Sequence, residues 1–322
     1  MLSTIKKNWF VSLVILVFVV MSVYYIYDTN KGKLKGKQSN GEDVVYSINN
    51  EDIVVSAWYD ELYKSGGTNT LISLVQKNTA EAAVETTDEM KETAKSNAAS
   101  VRSSYQQNYG ENYESQLARD LAATGFDNLE DYFVMVQKLN KVAADYAKAN
   151  FEDLKIREIN YILIQFEDSN NPSAEPTEDE AARMKAVDDL LAGGGTFADA
   201  ASQFSEDTST ASSGGRLGIV DKNATSLDSS FLEGALALKE GETSDWIRSD
   251  LFGYFKINCT ASTPETLEAN NTDSDPYVSL ISGYDSTLEG KAVWAKIQEL
   301  GIDFHGDADL EKSVMDAMGV EE

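Results

Sequence analysis

The chain of 322 residues is poor in the residues on which much enzyme chemistry depends, since it holds one cysteine, Cys259, and one histidine, His305. A single thiol cannot form an internal redox pair, and a zinc site needs several nitrogen and sulfur ligands. A Ser–His–Asp triad would need His305 beside a serine elbow, and no G-x-S-x-G motif occurs. We therefore predict that the protein uses neither a metal nor another cofactor.

Positive charge is also scarce, with 27 Lys and Arg against 54 Asp and Glu, for a net charge of −27. Residues 1–41 carry six lysines and one aspartate, a net charge of +5, which leaves −32 on the rest of the chain. Such an acidic body does not attract nucleic acid, because binding to phosphates depends on clustered Lys and Arg. Nucleic acid is therefore excluded as a partner.

One long hydrophobic run stands at the start of the chain. Lys6 and Lys7 precede an uncharged stretch at 8–27 that is rich in Val, Leu, Ile and Phe. About 18 helical residues at ~1.5 Å each span roughly the hydrocarbon core of a bilayer. The sequence predicts a transmembrane anchor at 1–30 and a basic flexible tether at 31–42, with a cleavable signal peptide as the alternative.

The next part of the chain is predicted to be a hairpin followed by helices. Apolar stretches at 44–48 and 53–55 flank a turn at 49–52, and a helix is expected from Ser56. Periodic apolar residues predict three more helices. The first begins at a capping box of Thr86 and Glu89 and ends at Gly110. The second is centred on Leu117 and Leu121, and the third runs from Leu129 to Tyr146.

The most specific motif lies between Phe197 and Gly218. It has the pattern F-x-x-x-A-x-x-x-S-x-D followed by G-G-x-L-G, and it consists of Phe197, Ala201, Ser205, Asp207, Gly214, Gly215, Leu217 and Gly218. A second set follows in the order F-x-x-A-x-x-L-x-x-G-E-x-S and F-G-Y, namely Phe231, Ala235, Leu238, Gly241, Glu242, Ser244, Phe252, Gly253 and Tyr254. Together they resemble the parvulin family of peptidyl-prolyl isomerases.

With its anchor, the chain looks like the extracytoplasmic foldases of the PrsA and SurA type. The resemblance implies an α+β fold with a helical chaperone domain at 43–155. A parvulin-like domain, a small antiparallel sheet with flanking helices, is inserted at 156–259. An acidic linker at 260–276 then leads to C-terminal helices at 277–322, which complete the chaperone domain.

Parvulins place a polar tetrad of two His, a Cys or Asp, and a Thr or Ser beside an apolar proline pocket. By the resemblance, the two His positions fall on Tyr161 and Phe255, the Cys or Asp on Asp207, and the Thr or Ser on Asp250. Only Asp207 keeps a family residue, so isomerase activity is expected to be weak or absent. The alternative interpretation of Tyr161 and Phe255 is that the two rings simply pack together.

The substrate-binding positions of the family fall on Leu227, Phe231 and Phe252, for which ordinary core packing is the alternative. The resemblance implies a folding factor held by the cell membrane, with its body on the extracytoplasmic side. Its partners would be unfolded or partly folded exported polypeptides. Two other interpretations stay open, namely an active prolyl isomerase and a surface scaffold that binds one folded partner.

Overall fold

A computed structural model describes residues 37–48, 51–170 and 175–320 of the chain. These residues fall into two compact units, within Met1–Thr68 and Asn69–Glu322. The predicted anchor at 1–30 lies outside the described residues. Among the residues that are described, no helix combines the length and the apolar character needed to cross a bilayer.

The first unit is a small antiparallel sheet followed by a helix. Its elements are β1 (Gln38–Ser39), β2 (Glu42–Ile48), β3 (Glu51–Val54), α1 (Val55–Leu62) and a π-helical turn (Tyr63–Gly67). The predicted hairpin is present, but Glu51 and Asp52 belong to β3 and not to the turn, and Asp52 pairs with Ser47. Hydrogen bonds from Lys37 and Ser47 at 2.8 and 2.6 Å satisfy its carboxylate, so a polar residue is tolerated in the strand.

The second unit opens with helices α2 (Thr68–Ala83), α3 (Asp88–Tyr109), α4 (Tyr113–Ala122), α5 (Leu129–Ala149) and α6 (Phe151–Leu154). The predicted capping box at Thr86 and Glu89 is wrong by one residue. Thr87 is the N-cap, and its hydroxyl accepts the Met90 N–H at 3.1 Å. The predicted stop at Gly110 agrees with the structure, since this glycine has a φ of 54° and caps α3.

A four-stranded antiparallel sheet follows, with the strand order β5-β4-β7-β6. The elements of this region are β4 (Arg157–Gln165), α7 (Glu178–Ala192), α8 (Phe197–Phe204), β5 (Arg216–Val220), α9 (Ser229–Ala237), β6 (Ile247–Arg248) and β7 (Gly253–Ala261). The predicted α+β class, with a helical region and a small antiparallel sheet, is therefore confirmed.

Side chains of β4 alternate between the two faces of this sheet, as strand geometry requires. Ile162 packs against Val187 of α7 and Ala201 of α8. Tyr161 and Leu163 point to the opposite face, which α9 covers. Both faces of the strand are thus buried, and the second face carries the site described below.

The stretch at 260–276, expected to be a polar linker, contains helix α10 (Pro264–Asn270). Thr263 caps this helix by accepting the Thr266 N–H at 3.3 Å, and Pro264 occupies its first turn. Leu267 is fully buried. One apolar residue gives no periodicity, so the sequence pattern did not reveal the helix.

The chain ends in helices α11 (Pro276–Gly283), α12 (Leu288–Leu300) and α13 (Ala308–Ala317). Buried Val293 and Ile297 of α12 share a core cluster with Val142 and Ala143 of α5. A second cluster joins residues of α5, α6 and α11 to residues of the sheet region: Ala144, Ala147, Phe151, Leu154, Ile156, Ile219, Ala261, Leu267, Tyr277, Leu280 and Leu288. The sheet therefore shares a continuous core with the helices on both sides of it in sequence.

Candidate functional site

Tyr161 lies at the centre of β4, where a glycine comes unusually close to it. The Tyr161 N–H donates to the Gly215 carbonyl oxygen at 2.8 Å. Gly215 has a φ of +81°, and a Cβ at this position would stand 2.3 Å from the Tyr161 carbonyl oxygen. Only glycine fits here. The second glycine of the G-G-x-L-G motif thus fixes the strand that carries the tyrosine.

The Tyr161 hydroxyl donates a hydrogen bond to Asp207 Oδ2. Asp207 follows α8, and its Oδ1 accepts the Ser209 N–H and the Ser209 hydroxyl at 2.9 and 2.6 Å. Thr210 Oγ1 donates to Oδ2 at 3.2 Å. The carboxylate is therefore held by its own turn and presented to Tyr161, so the structure joins these two predicted tetrad positions directly.

Phe255, the fourth predicted tetrad position, belongs to an aromatic cluster under Asp207. Its ring lies edge-on to Tyr161 and to Phe231, with centroids 5.8 and 4.9 Å apart, and Tyr161 and Phe231 are 5.4 Å apart. Phe252 lies 6.2 Å from Phe255 and is half-exposed at the edge of the cluster. Edge-to-face contacts are the favoured geometry of aromatic pairs. The rings pack together and also leave an apolar hollow.

Asp250 does not join the other predicted positions. Its side chain is 94% exposed and forms an ion pair with Arg248 at 3.2 Å. The neighbouring Ser249 is fully buried instead. Its Oγ donates to Asp228 Oδ2 at 2.7 Å and accepts the N–H groups of Leu251 and Phe252 at 3.0 and 3.1 Å. The structure thus places the Asp250 side chain away from the other predicted positions, and it is Ser249 that contacts the start of α9.

The remaining predicted positions meet in one cavity of about 390 Å³. Its lining includes Tyr161, Leu163, Asp207, Leu217, Leu227, Asp228, Phe231, Phe252 and Phe255. Of the family's apolar pair, Leu227 lies just before α9 and Phe231 lies within it. Phe252 lies at the rim of the cavity. A pyrrolidine ring is a small apolar group, and a half-open hollow of aliphatic and aromatic side chains suits it.

Sequence reasoning missed two polar residues, Asp228, which lines the cavity, and Ser249, which hydrogen-bonds to Asp228. Asp228 is the N-cap of α9, and its Oδ1 accepts the Phe231 N–H at 3.0 Å. An aspartate three residues before an apolar helix residue is a recognisable start signal, so this residue was detectable in the sequence. Ser249 had no such signal, because its role depends on a contact with Asp228 across 21 residues of chain.

Neither of the two scarce residues takes part in the site. His305 is exposed, and its Nδ1 lies 3.3 Å from Asp303 Oδ2. Cys259 is buried, and burial raises the pKa of its thiol to about 11, so it stays protonated at neutral pH. In the described part of the chain, no group of three or more His, Cys, Asp or Glu residues is arranged to hold a metal ion.

Comparison with known proteins identifies the domain that holds this cavity. The Rotamase family model, described as a PPIC-type PPIASE domain, matches residues 161–257. The foldase protein PrsA of Clostridium kluyveri is 36% identical over 124 residues, which cover 38% of this chain and 34% of the relative. The PrsA foldase of Clostridium botulinum is 29% identical over 163 residues, 47% of each chain. The chain thus matches about a third to a half of the length of these curated relatives.

A crystal structure of a peptidylprolyl isomerase, PrsA, from Bacillus cereus aligns with 87% of this chain and 99% of its own, at 19% identity and a TM-score of 0.40. The family match and the PrsA relatives confirm the predicted parvulin domain and the resemblance to PrsA-type foldases. Residues 161–257 are a parvulin domain.

Proposed function

We propose that this protein is a folding factor that binds unfolded or partly folded exported polypeptides and uses its parvulin domain to hold their prolyl segments. The observation that carries the proposal is the cavity itself, in which Leu227, Phe231 and Phe252 surround an apolar hollow beside Tyr161 and Asp207. The family match to residues 161–257 and the PrsA relatives support it.

Prolyl isomerisation needs no covalent bond between enzyme and substrate. Rotation of the X-Pro amide faces a barrier near ~20 kcal/mol because it breaks amide resonance. A site lowers this barrier when it holds the ring, removes water from the amide and donates hydrogen bonds that favour the twisted amide. The first two requirements are met by the aromatic hollow.

The third requirement is poorly met in this site. The Tyr161 hydroxyl donates a hydrogen bond to Asp207, and the Ser249 hydroxyl donates one to Asp228. Both hydroxyls are therefore engaged within the protein. The chain has no histidine near the cavity, since its only one is the exposed His305. Binding of prolyl segments without efficient turnover is therefore the function that we propose for this domain.

An active isomerase is the second candidate, and one observation favours it. The hydrogen bond between Tyr161 and Asp207 keeps a hydroxyl and a carboxylate next to the apolar hollow. If the Tyr161 hydroxyl turns its hydrogen bond from Asp207 to the substrate carbonyl, the site gains the hydrogen-bond donor that it otherwise lacks. The chemistry would then be electrostatic stabilisation of the twisted amide.

Location is the last part of the proposal. The uncharged run at 8–27 anchors the chain in the cell membrane, and the acidic body stands on the extracytoplasmic side, where exported polypeptides emerge. The lysine-rich tether at 31–42 connects the two. Protease treatment of intact cells, with detection of the body by antibody, tests this orientation. A body that stays protected until the cells are lysed contradicts it.

Two assays on the full chain separate the candidates. The first follows isomerisation of a short Ala-Ala-Pro-Phe peptide, and the second follows aggregation of a chemically unfolded protein. We expect slow or no turnover together with clear suppression of aggregation. Rapid turnover that is lost in Asp207→Ala supports the isomerase, and failure in both assays contradicts the folding-factor proposal.

A further inference from the structure

The cavity that Phe231 and Phe255 line in the parvulin domain is negatively charged. Three carboxylates line it, those of Glu206, Asp207 and Asp228, and none of the described residues that line it is Lys, Arg or His. All three acidic residues are partly buried, and charges in such positions are screened less by salt than exposed charges. The cavity therefore acts on the charge of a peptide that enters it as well as on its proline.

Arginines of α7 and β6 are already paired with carboxylates. Arg183 forms an ion pair with Glu206, and its Nε lies 3.0 Å from Asp179 Oδ2, so one guanidinium faces two negative charges. Arg248 pairs with Asp250 at 3.2 Å. Neither arginine lines the cavity, so its net charge stays negative.

Asp207 and Asp228 differ in how many more hydrogen bonds they can accept. A carboxylate has about four acceptor sites, two on each oxygen. Asp207 fills all of them, since each of its oxygens accepts two hydrogen bonds, in total from three hydroxyl groups and one N–H. Asp228 accepts one hydrogen bond per oxygen from the described residues, namely from the Phe231 N–H and the Ser249 hydroxyl. Asp228 therefore has acceptor sites left for a charged donor of a ligand.

We propose that Asp228 selects prolines that have a Lys or Arg next to them in the client polypeptide. The inference rests on the proposed function, because it takes the proline to be held in the cavity. The groups that donate to Asp207 and Asp228 are neutral, so neither charge is cancelled. An ammonium or guanidinium beside the proline ring donates a charge-assisted hydrogen bond to Asp228, and the charge of Asp207 attracts it further. An acidic neighbour is repelled.

The charge of the whole body acts in the same direction and has to be separated from the effect of Asp228. A net charge of −32 lies after residue 41, so a basic client is attracted wherever its lysines stand. At physiological salt this general attraction is screened beyond about 8 Å. Selection by the cavity depends instead on how close the lysine is to the proline in the client.

Four fluorescent peptides with one proline each test this dependence on the full chain in a non-ionic detergent. Lys, Gln or Glu flanks the proline on both sides in the first three, and Gly and Ser fill the other positions. The fourth, the end-lysine peptide, has the composition of the flanking-lysine peptide with both lysines moved to its ends. We expect the flanking-lysine peptide to bind about tenfold more tightly than the Glu peptide and about fivefold more tightly than the end-lysine peptide. Equal affinity of the two lysine peptides overturns the proposal.

A copy of the Gln peptide with Ala in place of its proline tests the proposed function separately. Tighter binding of the proline form supports the holding of prolyl segments, whatever the effect of charge. If that difference is present while the two lysine peptides bind equally, selection by Asp228 fails and the folding-factor proposal stands. Binding that does not depend on the proline overturns both proposals.

Asp228→Asn is the main variant, because asparagine keeps the size of the side chain and is an equally good N-cap, while it removes the charge. The quantity measured is the ratio of the affinities for the flanking-lysine and end-lysine peptides, which a general loss of pocket geometry would not change. We expect this ratio to fall from about fivefold to within about twofold. An unchanged ratio in a folded variant overturns the proposal.

Thr208→Lys covers the case in which Asp228→Asn does not fold. Thr208 lines the cavity and is exposed, so a lysine there adds positive charge to the cavity without entering the core. Ser104→Lys is the matched control, since it adds the same charge at an exposed position of α3 outside the cavity. We expect Thr208→Lys to lower the affinity ratio about threefold and Ser104→Lys to leave it unchanged. Equal effects of the two variants contradict the proposal, because the charge of the whole body then accounts for the preference.

Discussion

The Ser249 hydroxyl donates a hydrogen bond to Asp228 Oδ2 at 2.7 Å and so ties the turn before β7 to the start of α9. The same two residues also bind the backbone of two aromatic residues that line the cavity. Asp228 accepts the Phe231 N–H, and Ser249 accepts the Phe252 N–H. One contact between two polar side chains thus sets the distance between the inner wall and the rim of the cavity.

Asp228→Ala is expected to weaken both stability and prolyl binding. It removes the N-cap of α9 and leaves the buried Ser249 hydroxyl without its acceptor, which together cost about 1–3 kcal/mol. Phe231 and Phe252 also lose their common anchor, so the affinity for a proline-containing peptide should fall. Thermal unfolding and a peptide titration measure the two effects.

The matched control for Asp228→Ala is Thr196→Ala. Thr196 caps α8, where it accepts the Asp199 N–H at 3.1 Å, and this helix packs on the opposite face of the sheet. We expect a similar loss of stability, about 1 kcal/mol, with no change in peptide affinity. Equal loss of peptide affinity in the two variants would show that the Asp228–Ser249 contact has no special role in the pocket.

The buried carboxyl pair of Asp221 and Asp285 makes stability depend on pH. Burial and the charge of Asp285 raise the pKa of Asp221 to about 7. Burial pushes the pKa of Asp285 upward too, but hydrogen bonds from Thr287, Asn223 and Asp221 hold it below its usual value. The pair therefore keeps one proton at mildly acidic pH.

The sign of the effect follows from the raised pKa of Asp221. The folded protein keeps this proton up to about pH 7, whereas an unfolded aspartate loses it near its usual pKa of 3.8. The contribution of Asp221 to the free energy of unfolding should therefore be largest below about pH 4. It should fall as the pH rises towards 7. Between pH 5 and pH 8 the loss is on the order of 2 kcal/mol.

Asp221→Asn tests this assignment, because an amide mimics the protonated acid and can donate to Asp285. Denaturant unfolding at pH 5 and pH 8 should show a smaller decrease in stability for the variant than for the wild type. Lys222→Gln, an exposed change at the next residue, is the control and should retain the wild-type difference. A wild-type pH dependence in Asp221→Asn would assign the effect to other groups.

The packing of α12 on α5 makes a separate prediction. Ile297 is fully buried in the cluster with Val142 and Ala143, whereas Leu300, on the same helix, is 42% exposed. Ile297→Ala should lower the free energy of unfolding by about 2–5 kcal/mol, and Leu300→Ala by less than about 1 kcal/mol. Equal effects in urea unfolding would show that the tail does not dock on the helices in solution.

The sequence motifs were sufficient to predict the parvulin domain because each marks a backbone constraint. Gly215 is required by its approach to Tyr161, and Asp207 by the turn after α8. The four-residue connection between β6 and β7 has no such marker, so the sequence did not show that Ser249 turns inward while Asp250 faces solvent. Which of two adjacent polar residues turns inward depends on a distant partner, here Asp228.

The helical part shows the same limit. Long helices with capped ends, such as α5, were predicted from the spacing of their apolar residues. The helix at Pro264–Asn270 was missed because it buries only Leu267, and it is held by contacts of Asn270 and Asn271 with Glu158 at 2.8 and 3.1 Å. Those contacts join residues more than 100 positions apart, which no local pattern encodes.

Restoring the family's histidines should raise isomerase activity if the pocket is otherwise competent. Tyr161 and Phe255 face the same cavity with ring centroids 5.8 Å apart, so two imidazoles at these positions would stand beside each other and near Asp207. An imidazole N–H can donate to the substrate carbonyl, whereas the Tyr161 hydroxyl is engaged by Asp207 and Phe255 has no donor. We expect Tyr161→His with Phe255→His to increase turnover of a short X-Pro peptide about tenfold.

Asp250→Thr alone is the control for this double variant, because the side chain of Asp250 is exposed and outside the cavity. It should leave turnover unchanged, although threonine is the family residue assigned to that position. Suppression of aggregation should persist in both proteins, since client binding does not depend on the histidines. A double variant that folds, binds prolyl peptide and gains no turnover would mean that the hollow around Phe231 holds proline without the geometry needed to twist its amide.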